Sequence, residues 1–536
     1  MSRISSAADP AGLRWPLVYL GVAFTTLGTL LLELALTRIF SVVFYYHMAF
    51  LAISVAMFGL GAGGVLSYLI VAPDGRIFRR AGELALLGSG AVIVALVLLL
   101  TRPTAPAGQM LFVVYAVCAV PFIIAGVIVS LAIAETISRV DRVYFSDLAG
   151  AAGGCLLLIP LLDSVGGPNT VLAAASIFGV SGAIWFSLAG SVRGRVIAVG
   201  AALGLVGLLI YNQRFGIIDI RYAKGEQLGR ETFVKWNSFS RIALRPERDG
   251  TGRMEIVIDA DASTGIPRFD YDNLTDRERR ALLHEGPGLP YVMRPGARTL
   301  IIGPGGGWDV ARALAGGSRD ITGVEINRII ARTIMLERFP DLSRRLYFRP
   351  EVKIHVDDGR SFIRRSRDRY QVIQLTLVDT WAATAAGAFS LSENNLYTTE
   401  AFREYLDHLT PDGLLALTRW GFEPPRESLR LVTLGIDALI AAGGKQPWRH
   451  VIVVREGVDK LATWGARDTV LISRQPFNDE DIVRFRLLLR QGVMQAVYLP
   501  GDTSGSAFAS LLRARDPNRF LDEYPYDVTP VDDNRP

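Results

Sequence analysis

The chemistry this sequence could do is concentrated at four points, each directly behind an apolar run. Leu300-Ile301-Ile302 breaks into Gly303-Pro304-Gly305-Gly306-Gly307-Trp308-Asp309. Glycines let a backbone come close to a ligand, and a helix starting behind them offers its N-terminal amides. Val324-Glu325-Ile326 lies about 20 residues on, where a carboxylate can accept hydrogen bonds from two ribose hydroxyls. Asp357-Asp358-Gly359 closes the next run, where a carboxylate can accept from an exocyclic adenine amine. Leu377-Val378-Asp379 closes the fourth. A glycine turn alone is a weak signal, and Gly303-x-Gly305-x-x leads to Trp308, so a dinucleotide fingerprint fits poorly. A lone aspartate is more simply a helix cap. The full set, a glycine turn and three strand-end carboxylates, fits an adenosyl group better than a pyrophosphate.

Such residues need a scaffold that brings strand ends together. From residue 297 the pattern alternates strand and helix. Strands are expected at 298–303, 320–325, 352–357, 371–378 and 413–419, then near 450–454 and 469–473. Helices are expected near 308–316, 326–338, 358–366, 399–409 and 428–442. Strands separated by helices mean a doubly wound parallel sheet, whose ligands bind beyond the carboxyl ends of the strands. Residues 213–296 read as a linker and a small β-rich region, with strands at 239–244 and 254–258 and a turn at Gly250-Thr251-Gly252. His284, His355, His408 and His450 are scattered without metal-ligand spacing, so no metal is expected.

The first 212 residues are of another kind. The chain has 536 residues, half of them hydrophobic, and a mean hydropathy of +0.29. Behind a polar tail, 1–14, the apolar content falls in segments near 15–37, 46–72, 81–101, 110–137, 144–162, 170–190 and 194–212. These approach or exceed the roughly 18–20 residues that cross a bilayer. A helical membrane domain over 15–212, with six to seven segments, is expected. Cys118 and Cys155 lie inside such segments and read as core thiols. Small residues such as Gly59, Gly63, Gly150 and Gly154 suit close helix packing in lipid. Glu33, Arg38, His47 and Asp147 are expected to form a polar cluster within the bundle, because ionisable groups at membrane depth pair or serve function. The net charge of +5 comes from scattered arginines without interleaved aromatics, which excludes a nucleic-acid footprint. Arginines cluster in the amino-terminal tail and behind the even-numbered segments, which puts that tail in the cytoplasm. Seven crossings would leave the carboxyl-terminal half outside. The supply of cytosolic nucleotide-type cofactors favours six, with the segment at 144–162 re-entrant and the carboxyl-terminal half cytoplasmic, anchored in the cell (inner) membrane.

Residues of about 230–420 resemble the spermidine and spermine synthases, the polyamine aminopropyltransferases. Leu283-His284-Glu285, Pro290 and Arg294-Pro295 lead into Thr299-Leu300-Ile301-Ile302-Gly303 as that family's segment leads into its glycine motif. The blocks at Glu325 and at Asp357-Asp358-Gly359-Arg360-Ser361-Phe362 look like its ribose and adenine motifs. Tyr370-Gln371-Val372-Ile373 through Asp379 looks like its catalytic strand. Tyr397-Thr398-Thr399-Glu400-Ala401-Phe402 through Gly413 looks like the helix and turn behind that strand. Asp532-Asp533-Asn534-Arg535-Pro536 is like a tail of membrane-fused members. The resemblance implies a Rossmann-like, methyltransferase-type domain over 297–536. It also implies a donor that is decarboxylated S-adenosylmethionine or S-adenosylmethionine. Gly303, Gly305, Gly306, Gly307, Glu325, Asp357, Asp358 and Gly359 would hold that donor, and Asp379 would be catalytic.

The departures from the family fall at the acceptor end. Its glycine motif carries an aspartate directly after the third glycine; here Trp308 takes that slot and Asp309 is displaced by one. Ala382 and Ala383 replace the second aspartate and the proline after the catalytic strand. Trp308, Asp309, Tyr397 and His284 are the expected substrate-side residues. The resemblance implies aminopropyl transfer to an amine. Methyl transfer from S-adenosylmethionine to a small or lipid-borne acceptor is the alternative, and a transporter-like bundle with an adenosyl-sensing domain is a third reading. The expected partners are the lipid bilayer, a small amine or lipid acceptor and a second copy of the chain.

Overall fold

A computed structural model describes residues 13–44, 48–70, 76–101, 109–248, 250, 252–378, 394–463, 465–491, 494–502 and 504–535. The chain divides into two compact units. One holds the residues up to Ala243 with Val257–Ala262; the other holds Leu244–Ile256 with Ser263–Pro536. Residues expected as a region of their own, 213–296, are shared between the two.

Among its described residues the first unit is a bundle of six helices, each long and apolar enough to cross a membrane by length and composition. They are α1 (Trp15–Val43), α2 (Ala49–Ile70), α3 (Ile77–Leu100), α4 (Gln109–Glu135), α5 (Val140–Leu188) and α6 (Val192–Phe215). Helix α5 has 49 residues, about 74 Å if straight and more than twice a ~30 Å hydrocarbon core. It is not straight. Gly166 leaves helical geometry with φ 79° and ψ 173°, ahead of Pro168. The contacts on either side of that break run in opposite senses along α1. Before it, Gly150 meets Ala23 and Gly154 meets Leu27; after it, Phe178 meets Gly28 and Trp185 meets Gly21. Helix α5 is therefore a hairpin, and the segment at 144–162 is a full-length helix lying on α1 rather than a re-entrant element. Counted by passes, the bundle makes seven.

Glycines allow this closeness. A Cβ at Gly154 would lie 2.8 Å from Leu27 O, and one at Gly21 would lie 2.8 Å from the Trp185 ring. In lipid, where tails are as apolar as leucine, such packing is what associates helices. The alternation of passes puts Arg14, Arg79, Arg80, Arg139, Arg142, Arg193 and Arg195 at one end of the bundle. Arg14 donates to Ser187 O, and Arg139 lies 4.4 Å from the centre of the Trp15 ring. Residue 216 leaves at the other end.

Among the described residues, Glu33, Arg38 and Asp147 do not come together as the expected polar cluster. Arg38 donates to Asp259 at 3.2 and 3.4 Å. Gly150 is level with Ala23, ten residues or about 15 Å along α1 from Glu33, so Asp147 sits at another depth. The first half of α5 runs parallel to α1, which is why the two carboxylates cannot meet. His47 lies outside the described residues.

Residues 213–296 hold β1 (Tyr222–Ala223) with β2 (Glu226–Gln227), and a four-stranded sheet in the order β3 (Phe233–Trp236), β4 (Arg241–Pro246), β5 (Met254–Ile258), β6 (Ala262–Gly265). Beyond them come α7 (Asp276–Leu283) and α8 (Leu289–Met293). The large sheet consists of β7 (Thr299–Ile302), β8 (Ile321–Glu325), β9 (Val352–Val356), β10 (Tyr370–Thr376), β11 (Leu409–Trp420), β12 (Val451–Glu456), β13 (Arg467–Ser473) and β14 (Gln495–Tyr498). Its order is β14-β12-β13-β11-β10-β7-β8-β9. The five strands from β11 to β9 are mutually parallel; β13, β12 and β14 add antiparallel pairings. This is a doubly wound, methyltransferase-type sheet, switching direction between β7 and β10.

The intervening helices are α9 (Trp308–Ala315), a π-helical stretch (Ile329–Arg338), α10 (Gly359–Arg365), α11 (Thr399–Asp407), α12 (Glu427–Ala441), α13 (Asp479–Gln491), α14 (Ala507–Arg513) and α15 (Pro517–Glu523). Strand β11 shows why two layers form. Leu415 and Leu417 pack with Phe402, Tyr405 and Leu429, whereas Leu414 and Ala416 pack with Leu289, Met293 and Phe485. Alternate residues of a strand face opposite sides.

Candidate functional site

Register fixes the site. Ile302 pairs with Val324 and with Leu375, and Glu325 pairs with Val356. The carboxyl ends of β9, β8, β7 and β10 thus lie side by side. The glycine turn, Glu325, Asp357 and residues 377–378 share one edge of the sheet.

The turn needs its glycines. Gly303, Gly305 and Gly307 have φ of 70°, 53° and 103°, a region that costs other residues strain. Protein neighbours also close on it. A Cβ at Gly303 would lie 2.7 Å from Val378 Cγ1, one at Gly307 2.6 Å from Leu346 Cδ2, and one at Gly305 3.3 Å from Thr264 Cγ2. Gly306 packs on the Gly265 carbonyl, and the Tyr347 hydroxyl donates to Gly305 O at 2.7 Å. Thr264, Gly265 and Tyr347 are therefore part of the site, and no motif marked them.

Glu325 is 5% exposed. It accepts from Gly305 N at 3.1 Å and from Asn327 N at 2.9 Å, so its carboxylate ties the end of β8 to the glycine turn. Burial pushes its carboxyl above the usual range, against the pull of those two amides. Asp357 accepts from Asp358 N at 2.9 Å and pairs with Arg365. Asp358 caps α10, accepting from Ser361 N at 2.7 Å. Of this acidic pair, one member is the helix cap that a lone aspartate would suggest. Gly359 packs under Ile302, whose Cγ2 lies close to where its Cβ would be. Behind it, Arg360 is held by Glu404 at 2.9 Å and by Asp533 at 2.8 Å, so the carboxyl-terminal tail braces the helix that carries Asp358.

The substrate-side residues divide. Asp309 is 5% exposed and pairs with Arg312 at 2.7 Å; Arg312 also reaches Glu285 at 2.8 Å. Trp308 meets Phe269 edge to face, centroids 6.0 Å apart, and has the guanidinium carbons of Arg312 and Arg253 at 5.6 and 6.0 Å from its ring. Both residues are thus engaged with protein cations. Arg312 is the member that sequence reading missed, although its i,i+3 spacing from Asp309 marks a helix pair. His284 ends α7, half-buried. Tyr397 lies under Arg419, 5.0 Å from ring centre to guanidinium carbon. Asp379, Ala382 and Ala383 lie outside the described residues, though Val378, directly before Asp379, packs on Gly303. Among the described residues no group of three or more His, Cys, Asp or Glu could hold a metal ion.

No model of a protein family matches the sequence, and no curated protein matches it. Among solved structures, the chain is similar to a spermidine synthase in complex with the transition-state analogue AdoDATO. The identity is 16%, over 48% of this chain and 77% of that one, with a TM-score of 0.34. It is similar to a spermidine synthase from Thermotoga maritima, with 14% identity over 48% and 76% of the chains and a TM-score of 0.33. It is also similar to a proposed SAM-dependent methyltransferase from Streptococcus mutans, with 15% identity over 51% and 65% and a TM-score of 0.26. At these values the likenesses assign no reaction.

Proposed function

We propose that the doubly wound unit is a transferase using an adenosyl sulfonium donor, S-adenosylmethionine or its decarboxylated form. One observation supports this above the rest: four neighbouring strand ends bring a glycine turn, the buried Glu325 carboxylate and Asp357 to one edge, beside the residue that precedes Asp379. In this reading Glu325 accepts from the ribose hydroxyls, and Asp357 faces the adenine while Asp358 holds the helix behind it.

The finer reading is aminopropyl transfer to an amine. The acceptor nitrogen attacks the carbon beside the sulfonium, a C–N bond forms, the C–S bond breaks, and methylthioadenosine leaves with the electron pair. Asp379 would take the proton from the nitrogen, and much of the rate would come from approach geometry. The sequence blocks around Glu325, Asp357 and Asp379 motivate it. Methyl transfer from S-adenosylmethionine to a small or lipid-borne acceptor is favoured by a different observation. Arg312, paired with Asp309 at 2.7 Å, puts a guanidinium behind the glycine turn, a cation that the carboxylate of S-adenosylmethionine could meet and that the decarboxylated donor has no group to use.

Calorimetric titration of the detergent-purified full chain with S-adenosylmethionine, its decarboxylated form and methylthioadenosine separates these. Preference for the decarboxylated donor supports aminopropyl transfer. Preference for the carboxylated donor sinks it and leaves methyl transfer. Binding of none removes the transferase reading.

A further inference from the structure

We propose that the helical unit holds a second binding site, for a small organic ammonium group, in the cavity at the fold-back of α5. The cavity is about 230 Å³, room for roughly eight waters at ~30 Å³ each. Three helix ends meet there: the two halves of α5 at Gly166 and the end of α6 at Phe215. Two of these are carboxyl ends, whose carbonyls carry partial negative charge. Asp163 and Asp219 add two carboxylates to the wall, and Lys235 adds one cation.

The amides around the cavity leave it short of donors. Asn169 uses both amide hydrogens, on Val165 O at 3.0 Å and Gln213 Oε1 at 2.9 Å. Asn212 uses both of its own, on Asn169 Oδ1 at 2.7 Å and Ile218 O at 3.0 Å. Gln213 donates to Ser164 O at 3.2 Å, and Ser164 donates to Pro160 O. The carbonyls at the helix ends keep a second lone pair and Asp163 and Asp219 bring two carboxylates, so the complementary ligand is a compact cation rich in N–H donors. Trp236 forms one side. A Cβ at Gly167 would lie 2.9 Å from its ring, so glycine at the hairpin is what lets the ring in, and an aromatic ring attracts cations. Burial pushes the Asp219 carboxyl above its usual range, partly offset by Arg241; an arriving ammonium would favour its ionised form.

A free diamine and the ethanolamine headgroup of a lipid present the same ammonium. The test titrates the detergent-purified full chain with 1,3-diaminopropane, and in a second arm measures its retention of phosphatidylethanolamine against phosphatidylcholine. The expected result is binding in one arm that weakens at least tenfold in Asp163→Asn, a substitution at an exposed position, and in Trp236→Leu, while methylthioadenosine binding stays unchanged. The diamine arm responding marks a free amine; the lipid arm responding marks the headgroup. Absence of binding in both arms, or binding equal in wild type and both variants, overturns the proposal. Loss of methylthioadenosine binding alone would strike the donor reading and leave this one standing.

Discussion

The helical bundle and the doubly wound unit show two ways for a sequence to reveal its fold. In the doubly wound unit, the candidate glycine turn, Glu325 and Asp357 sit at the ends of apolar strands, and strand ends are local signals. The expected strands at 298–303, 320–325 and 352–357 appear as Thr299–Ile302, Ile321–Glu325 and Val352–Val356. In the bundle, hydropathy locates the apolar segments but says nothing about how consecutive segments fold on one another. The decisive residues there are Gly166, Gly167 and Pro168, a turn signal of three residues inside a 49-residue helix.

That difference has an all-or-none consequence for orientation. The expectation of a cytoplasmic carboxyl-terminal half rested on six crossings; with the hairpin at Gly166 the described helices run through the bundle seven times. If Arg14, Arg79, Arg139, Arg193 and their neighbours face the cytoplasm, as the positive-inside rule expects, residue 216 leaves on the opposite face. A reporter fused behind Pro536 should then give alkaline phosphatase activity and no green fluorescence. The reverse pattern would mean that donor supply, not arginine distribution, matches the orientation.

Within the bundle the effect of closeness is large. Gly150→Leu should drive a side chain into the Ala23 backbone and destabilise the protein by about 3 kcal/mol, read as a fall in melting temperature in detergent. Gly200→Leu, with nothing within 4 Å of its Cβ, should melt like wild type. Equal melting of the two would break the hairpin account.

In the doubly wound unit the largest change should come from Glu325→Ala. Losing two charge-assisted bonds to ribose is worth roughly 3 kcal/mol, or about 100-fold in donor affinity. Its carboxyl is raised by burial, so donor affinity should climb with pH above about 4.3, the ordinary glutamate value, until the group is ionised. Stability has the opposite sign. The folded state holds the proton more tightly than the unfolded chain, so this contribution is full below about pH 4.3 and is lost as pH rises through the folded value. Flat affinity across that window would contradict the role given to Glu325. Asp358→Ala should act mainly through its cap, costing about 1 kcal/mol of stability with less than a threefold change in donor affinity; Asp357→Ala should reverse that ratio.

What the sequence did not disclose is long-range. Arg38 finds Asp259, 221 residues away, and Arg312 bridges Asp309 to Glu285. Thr264 and Gly265 close the glycine turn from another strand. None of these partnerships leaves a periodic or spaced trace, because each is made by tertiary packing of side chains that alone read as ordinary surface charge or turn residues. The carboxylates at strand ends were legible because strand, turn and acid succeed one another within a few positions.

If these strand ends hold an adenosyl group, a bound nucleoside must quiet them and leave the helices alone. Hydrogen exchange of the full chain with and without saturating methylthioadenosine tests this most directly. Slowed exchange in peptides spanning 303–309, 325–329 and 357–361, with the helices α1 to α6 unchanged, is the predicted result. Binding that leaves those three segments as they were, or protects another part of the chain instead, would contradict it.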